Sequence, residues 1–118
     1  MKKLIAVVAI VLGLAFNTNA QEVKTVSLEQ TKGEFTQKQI TVSEGTYVFE
    51  IANNNVGHNV GFVLAPKSNT EAHIKNAYVK EKVQNNTKQT SKKVTLKKGE
   101  YVYFCPLNPT PEYTLIVQ

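Results

Sequence analysis

Several residue types that commonly build functional sites are missing from this sequence of 118 residues. Arginine, aspartate and tryptophan are absent, so all 14 cationic side chains are lysine and all nine anionic side chains are glutamate. Bidentate arginine clamps and aspartate-rich calcium or magnesium loops are therefore excluded. The single cysteine, Cys105, excludes an intramolecular disulfide and any zinc site that takes two or more thiolates from one chain.

Residues 1–20 have the pattern of a secretory signal peptide. Lys2 and Lys3 precede a run of uncharged, mostly apolar residues over 4–16, and a short polar stretch then ends in Ala20. The apolar run is shorter than the ~20 residues of a membrane-spanning helix, so a signal peptide is favoured over a membrane anchor. No cysteine lies near the cleavage pattern, which excludes lipid attachment there. We expect a periplasmic or secreted protein without a membrane span after cleavage.

The mature chain, residues 21–118, is predicted to form one domain. It carries 12 lysines and nine glutamates, and this mild excess lacks the arginine and interleaved aromatic residues of a nucleic-acid surface. We therefore expect no nucleic-acid partner. The lysines at 75, 80, 82, 92, 93, 97 and 98 are interpreted as a solvated surface, with docking of an acidic redox partner as the alternative.

Alternating apolar residues predict β-strands at both ends of the mature chain. A hairpin around a turn at 43–45 is indicated by Ile40 and Val42 on one side and by Tyr47, Phe49 and Ile51 on the other. A third strand is predicted from 58, ending at Pro66. Strand periodicity resumes over 94–105, interrupted by a turn at 97–99, and a final strand covers 113–117.

The pattern changes between Ser68 and Val83. Residues 68–71 have the form of a capping box, and Ile74, Ala77 and Tyr78 follow at helical spacing. A short amphipathic helix is predicted here, and the polar stretch 85–93 is predicted to be a surface loop. Together the pattern predicts an all-β fold, a Greek-key β-sandwich with one short helix inserted.

His58 and Cys105 are the candidate site residues. His58 follows an asparagine-rich loop, and Cys105 ends a predicted strand before a proline-rich loop. Such loops gather at one pole of a sandwich, where thiolate and imidazole together suit copper. Two other interpretations stay open: His58 as a hydrogen-bonded loop histidine, and Cys105 as a small buried residue. His73, on the predicted helix, is assigned no role.

Two segments carry a family resemblance. Residues 57–62 (Gly-His-Asn-Val-Gly-Phe) and 99–105 (Gly-Glu-Tyr-Val-Tyr-Phe-Cys) resemble the cupredoxins, small blue copper proteins such as plastocyanin, pseudoazurin and amicyanin. The resemblance covers most of the mature chain and implies a cupredoxin-like sandwich. It implies copper bound by His58 and Cys105, with Asn59 bracing the two ligand loops. It further implies electron transfer with a redox partner protein, or copper handling.

The remaining ligands of the family do not carry over. Short-loop cupredoxins have the pattern C-x-x-H-x-x-M after the strand, but here Asn108 stands in the histidine slot and Pro111 in the methionine slot. The only methionine, Met1, lies in the predicted signal peptide. Glu112 is the nearest carboxylate that could replace a missing ligand.

Three functions compete on this sequence. The first is an exported copper protein that uses His58 and Cys105, and the second is a metal-free module that keeps the fold after losing its type 1 copper site. The third is an enzyme with Cys105 as nucleophile and His58 as base. It lacks a recognisable orienting residue, and Pro106 removes the backbone donor that commonly follows a nucleophile. We therefore expect a protein that is not an enzyme.

The signal peptide gives a first testable prediction. We expect the exported protein to begin at Gln21, because residues 1–20 have the charged, apolar and small-residue order that signal peptidase requires. Intact-mass measurement of the exported protein checks this. A membrane-bound species that retains Met1 would show that the segment is an anchor.

Overall fold

The computed structural model describes residues 22–118, so the predicted signal peptide lies outside the described residues. Within 22–118 the chain forms nine strands and a single 3-10 turn at Lys75–Ala77. In chain order the strands are β1 (Val23–Thr31), β2 (Glu34–Phe35), β3 (Gln39–Val42), β4 (Gly45–Asn53), β5 (Val63–Pro66), β6 (Lys88–Thr90), β7 (Val94–Leu96), β8 (Gly99–Phe104) and β9 (Tyr113–Val117). No helix in this part of the chain is long and apolar enough to cross a bilayer.

The strands form two sheets that enclose one core, as expected for an all-β sandwich. One sheet has the order β2-β1-β4-β6, and β7 also pairs with β4. The other has the order β3-β9-β8-β5. Two of the pairings are parallel, β1 with β4 and β3 with β9. The predicted fold class is confirmed.

The predicted hairpin around 43–45 is wrong because its two strands belong to different sheets. β3 pairs with β9, whereas β4 pairs with β1, so the turn crosses from one sheet to the other. The predicted inward face is right, since Tyr47, Phe49 and Ile51 are all buried. Alternation reports which side chains face the core, but it does not report which strand is the neighbour.

The third predicted strand begins later than expected. His58 is exposed and lies before β5, which starts only at Val63 and ends at Pro66. Val60 is buried, but its backbone exchanges hydrogen bonds with Val83 at 3.0 and 2.9 Å as an isolated bridge. The apolar alternation from 58 onwards therefore follows burial rather than a continuous strand.

The helix predicted between Ser68 and Val83 is reduced to the 3-10 turn. Backbone donors that a helix would use are bonded across the fold instead: the Ile74 N–H donates to the Leu64 carbonyl at 2.8 Å, and the Lys80 N–H donates to the Thr90 carbonyl at 3.0 Å. Asn69 Oδ1 accepts from the Glu71 N–H at 3.2 Å, which closes a local turn. Tertiary pairing overrides the local helical pattern.

The surface loop predicted over 85–93 contains a strand. β6 pairs antiparallel with β4, with Thr90 opposite Glu50 and Lys88 opposite Ala52. β6 has no apolar residue, so it shows no alternation that periodicity could detect. The final strand β9 has the bounds that were predicted.

An aromatic cluster fills the centre of the core. The fully buried Phe35 meets Tyr103, Tyr113 and Phe62 edge to face, with ring centroids 5.2, 5.8 and 6.1 Å apart. Phe62 also lies against Phe49 at 5.2 Å. Aromatic contacts of this kind add to the stabilisation from area burial, so we expect this core to form without a metal.

This core gives a stability prediction. Phe35→Ala should lower the free energy of unfolding by about 3–5 kcal/mol, because it opens a cavity among three packed rings. The exposed Val23→Ala is the control and should change it by less than about 0.5 kcal/mol. Denaturant unfolding in a metal chelator measures both. An unfolding transition that is not cooperative without metal would contradict this account.

Candidate metal centre

The Cys105 thiol lies immediately after β8 and is buried. Its Sγ atom accepts a hydrogen bond from the Gly61 N–H at 3.3 Å and one from the Asn108 N–H at 3.2 Å. The Cys105 N–H donates to Thr110 Oγ1 at 3.1 Å. The sulfur therefore ties the segment before β5 to the loop that follows β8, and it does so through backbone donors.

Asn108, in the predicted histidine slot, is buried and uses its whole amide. Its Oδ1 accepts from the Gly33 N–H at 2.7 Å. Its Nδ2 donates to Gln30 Oε1 at 3.1 Å and to the Thr31 carbonyl at 2.9 Å. A buried amide with its donors and acceptor paired is a stable structural element.

Gln30 closes the arrangement into a ring. It is fully buried in β1, and its Nε2 donates to the Gly61 carbonyl at 2.7 Å. Hydrogen bonds thus run from Gly61 to Cys105, from Asn108 to Cys105, from Asn108 to Gln30, and from Gln30 back to Gly61. We call these four residues the polar ring.

The short turn between β1 and β2 supplies the outer donor to the polar ring. Gly33 has a φ of +78°, a conformation that a residue with a Cβ rarely adopts. This conformation presents the Gly33 N–H to Asn108 Oδ1. The glycine is therefore required by the backbone conformation of the turn.

The imidazole of His58 takes no part in the hydrogen bonds of the Cys105 thiol among the described residues. The side chain is exposed, and its Nδ1 lies 2.9 Å from the carbonyl oxygen of Asn59. The His58 carbonyl accepts from the buried Asn53 Nδ2 at 2.8 Å. Within 22–118 neither hydrogen bond to the Cys105 sulfur comes from His58. The structure therefore connects the two loops through Gly61 rather than through the imidazole.

The bracing role predicted for Asn59 is carried by other residues. Asn59 is exposed, and its side chain makes no hydrogen bond within the described part of the chain. Gln30 and Asn108 connect the loops instead.

The other residues singled out in the sequence lie at the surface or in local contacts. Pro111 and Glu112 are exposed. His73 shares a hydrogen bond of 2.8 Å with the Tyr78 hydroxyl.

The donor set does not fit a type 1 copper site. Such a site takes two imidazoles and one thiolate, with a weak axial ligand. Asn108 offers only an amide oxygen, a hard donor, and that oxygen already accepts from Gly33. Residues 22–118 contain no group of three or more His, Cys, Asp or Glu residues placed to hold a metal ion. Copper ligation by His58 and Cys105 stays a prediction.

One tyrosine of the core and one surface carboxylate have perturbed pKa values. Burial raises the pKa of Tyr103 to about 12, with a smaller contribution from Tyr113. The Tyr103 hydroxyl donates to the Gln37 carbonyl, so it is held as a neutral donor. On the surface, the hydrogen bond and charge of Lys38 lower the pKa of Glu34.

Comparison with protein families identifies the class. The sequence matches the family model of the cupredoxin-like domain over residues 4–117. Because this match covers nearly the whole chain, the protein belongs to the cupredoxin-like domain family. No curated protein matches the chain.

Solved structures with the same fold include a "blue" copper protein. Auracyanin A from Chloroflexus aurantiacus, a "blue" copper protein, shares 16% identity, covers 82% of this chain and 100% of its own length, and has a TM-score of 0.65. Auracyanin from Roseiflexus castenholzii has 11% identity, coverages of 84% and 99%, and a TM-score of 0.62. Amicyanin from Paracoccus versutus has 14% identity, coverages of 87% and 85%, and a TM-score of 0.52. At these identities the likeness shows the fold alone.

Sequence reasoning missed Gln30 as a member of the site. A signal was present, because Gln30 continues the parity of Val26 and Leu28, which are both buried in β1. A polar residue at an inward position of a strand must find a partner in the core. Asn108 is one such partner. The burial of each of these two polar residues is therefore accounted for by its hydrogen bond to the other.

The polar ring predicts a stability effect. Asn108→Leu, which is similar in size but cannot hydrogen-bond, should lower the free energy of unfolding by at least about 2 kcal/mol, because it leaves the buried Gln30 Oε1 atom without its donor. The exposed Asn59→Leu should change it by less than about 0.5 kcal/mol. Chemical denaturation of the metal-free protein measures both, and equal small effects would show that the ring contributes nothing to stability.

Proposed function

We propose that this protein is a cupredoxin-fold binding or structural module that works without a type 1 copper site. The observation that carries the proposal is the buried Asn108 side chain, which stands in the family's histidine slot and makes three hydrogen bonds. To become a metal ligand, Asn108 Oδ1 would have to lose the hydrogen bond that it accepts from the Gly33 N–H. Amide oxygen is also a poor donor for copper compared with imidazole.

The proposal includes a protein that is exported and does not act as an enzyme. Export rests on the signal-peptide pattern of residues 1–20. The absence of a catalytic role rests on the buried Cys105 thiol, whose contacts are the backbone donors of Gly61 and Asn108. A nucleophilic cysteine needs a base within hydrogen-bond reach, and the contacts of His58 lie with Asn53 and Asn59.

A second candidate is an electron-transfer or copper-handling protein that binds copper through His58 and Cys105. It is favoured by membership of the cupredoxin-like family and by likeness in fold to a "blue" copper protein. It is also favoured by the contact between Cys105 and Gly61, which brings the thiol to the segment that carries His58. Under this alternative an external redox partner would exchange electrons with the site.

Copper titration separates the two candidates. We expect the purified protein to bind less than one tenth of an equivalent of copper at micromolar metal and to show no intense visible band, because its donor set is incomplete. Stoichiometric copper that is lost in both His58→Ala and Cys105→Ser would favour the second candidate over the first.

A gain-of-function pair tests the slot assignment. Asn108→His with Pro111→Met supplies the imidazole and the axial sulfur at the positions that the family pattern assigns to them. We expect copper affinity to rise more than tenfold, about 1.4 kcal/mol, together with a visible copper–thiolate band. Adding Cys105→Ser should abolish the band. If the folded double variant stays colourless and binds copper no better than the parent, His58 and Cys105 do not form a metal pair.

A further inference from the structure

Exposed apolar side chains gather at one groove beside the polar ring. Within residues 22–118 the exposed large hydrophobic residues are Val23, Tyr78 and Leu107, at 39%, 40% and 44% exposure. Tyr78 and Leu107 line the same groove of about 350 Å³, together with Pro106. The groove therefore concentrates most of the exposed large apolar surface of the described chain in one concave place.

The wall of the groove is fixed by the loop after Cys105. Leu107 Cδ1 lies 3.8 Å from the position that a side chain on Gly61 would occupy. Gly61 and Cys105 are joined through the thiol, so Leu107 is carried by the polar ring. A wall built on a satisfied hydrogen-bond network is preformed, which lowers the entropic cost of binding.

The segment that supplies Tyr78 to this groove is rich in lysine. Residues 75–93 hold a single acidic residue, Glu81, and six exposed lysines, namely Lys75, Lys80, Lys82, Lys88, Lys92 and Lys93. The ion pairs of the described chain use Lys38 and Lys67, so none of these six lysines is neutralised by a carboxylate there.

The register of the segment places several lysines on the side of Tyr78. Val79 and Ser91 form an antiparallel bridge, and the Lys80 N–H donates to the Thr90 carbonyl. In that register Tyr78 stands opposite Lys92, and residues opposite each other in an antiparallel pair point to the same side. Lys80, Glu81 and Lys82 line the groove itself, so its lining carries two lysines and one glutamate.

We propose that this groove docks an acidic protein segment that inserts an apolar side chain between Tyr78 and Leu107 while its carboxylates contact Lys80, Lys82 and Lys92. The concave apolar floor fits an inserted side chain, and the unpaired lysines fit flanking carboxylates. A bilayer would instead need protruding apolar residues. The chain also lacks arginine and tryptophan, residues that nucleic-acid surfaces use for phosphate contacts and stacking.

The inference rests on the binding role proposed above. It does not depend on whether Cys105 and His58 hold a metal. A parent protein that binds copper and also binds the acidic segment would overturn the metal-free function but leave the docking surface intact. A parent protein that binds no copper and does not bind the acidic segment would leave the metal-free function intact but overturn the docking surface.

The test uses the purified protein and a fluorescein-labelled peptide with two central leucines between two blocks of glutamates. We expect saturable binding by fluorescence anisotropy that weakens with salt. The triple variant Lys80→Glu, Lys82→Glu, Lys92→Glu should weaken binding at least about tenfold. Leu107→Ser should do so to a similar extent, since it removes the apolar wall.

Matched controls carry the same chemical changes away from the groove. Lys24→Glu, Lys97→Glu, Lys98→Glu changes the net charge equally, and Lys97 and Lys98 precede β8 at the end opposite Cys105. Val23→Ser matches Leu107→Ser at an exposed apolar position. Both controls should weaken binding less than about twofold.

Three outcomes overturn the proposal. Absence of saturable peptide binding would show that the groove does not dock an acidic segment. Equal losses of affinity in the groove triple variant and the control triple variant would show that binding is nonspecific charge attraction. Tighter binding of phosphatidylglycerol vesicles or duplex DNA through the same lysines would assign the surface to a different class of partner. Circular dichroism on every variant keeps a loss of folding separate from a loss of binding.

Discussion

The closed hydrogen bonding among Gln30, Gly61, Cys105 and Asn108 is the constraint on which the rest of this pole depends. Gln30 and Asn108 are buried amides, and a buried amide without a partner destabilises a fold by roughly 1–3 kcal/mol. The structure satisfies both by bonding them to each other and to the backbone. The position of each loop is therefore set by the need to satisfy these amides.

This arrangement explains how a cupredoxin-like sandwich can hold its loops together without a metal. In a metal site the ligands of separate loops are joined through the ion. Here the thiol of Cys105 accepts from Gly61 and Asn108, and the amide of Asn108 reaches the β1–β2 turn through Gly33. The same loops then present Leu107 beside Tyr78, so the polar ring supports the groove next to it.

Much of the fold could be predicted from the sequence, because inward faces follow a two-residue period. Tyr47, Phe49 and Ile51 are buried as expected, and the last strand ends at Val117 as predicted. Strand pairing could not be predicted in the same way, since a short turn can either close a hairpin or cross between sheets. The helical spacing after Ser68 was misleading because the backbone of Ile74 and Lys80 bonds to distant strands.

The candidate site was predicted less completely than the fold. Sequence pattern placed Cys105 at the end of a strand and Asn108 in the histidine slot. It could not reveal that Asn108 would be buried against Gln30, which lies 78 residues earlier in the chain. Contacts at such separation depend on the assembled sandwich. His58 is exposed, and its ligation of copper stays a prediction.

The central claim is that the pole is closed by side-chain amides. Nuclear magnetic resonance of the side-chain NH₂ groups of Gln30 and Asn108, recorded with and without one equivalent of Cu(I), tests it most directly. The account predicts two amide groups that are protected from solvent exchange and unchanged by the metal, because both are buried and bonded. Rapid exchange of the Asn108 amide, or its displacement by stoichiometric Cu(I), would contradict the account.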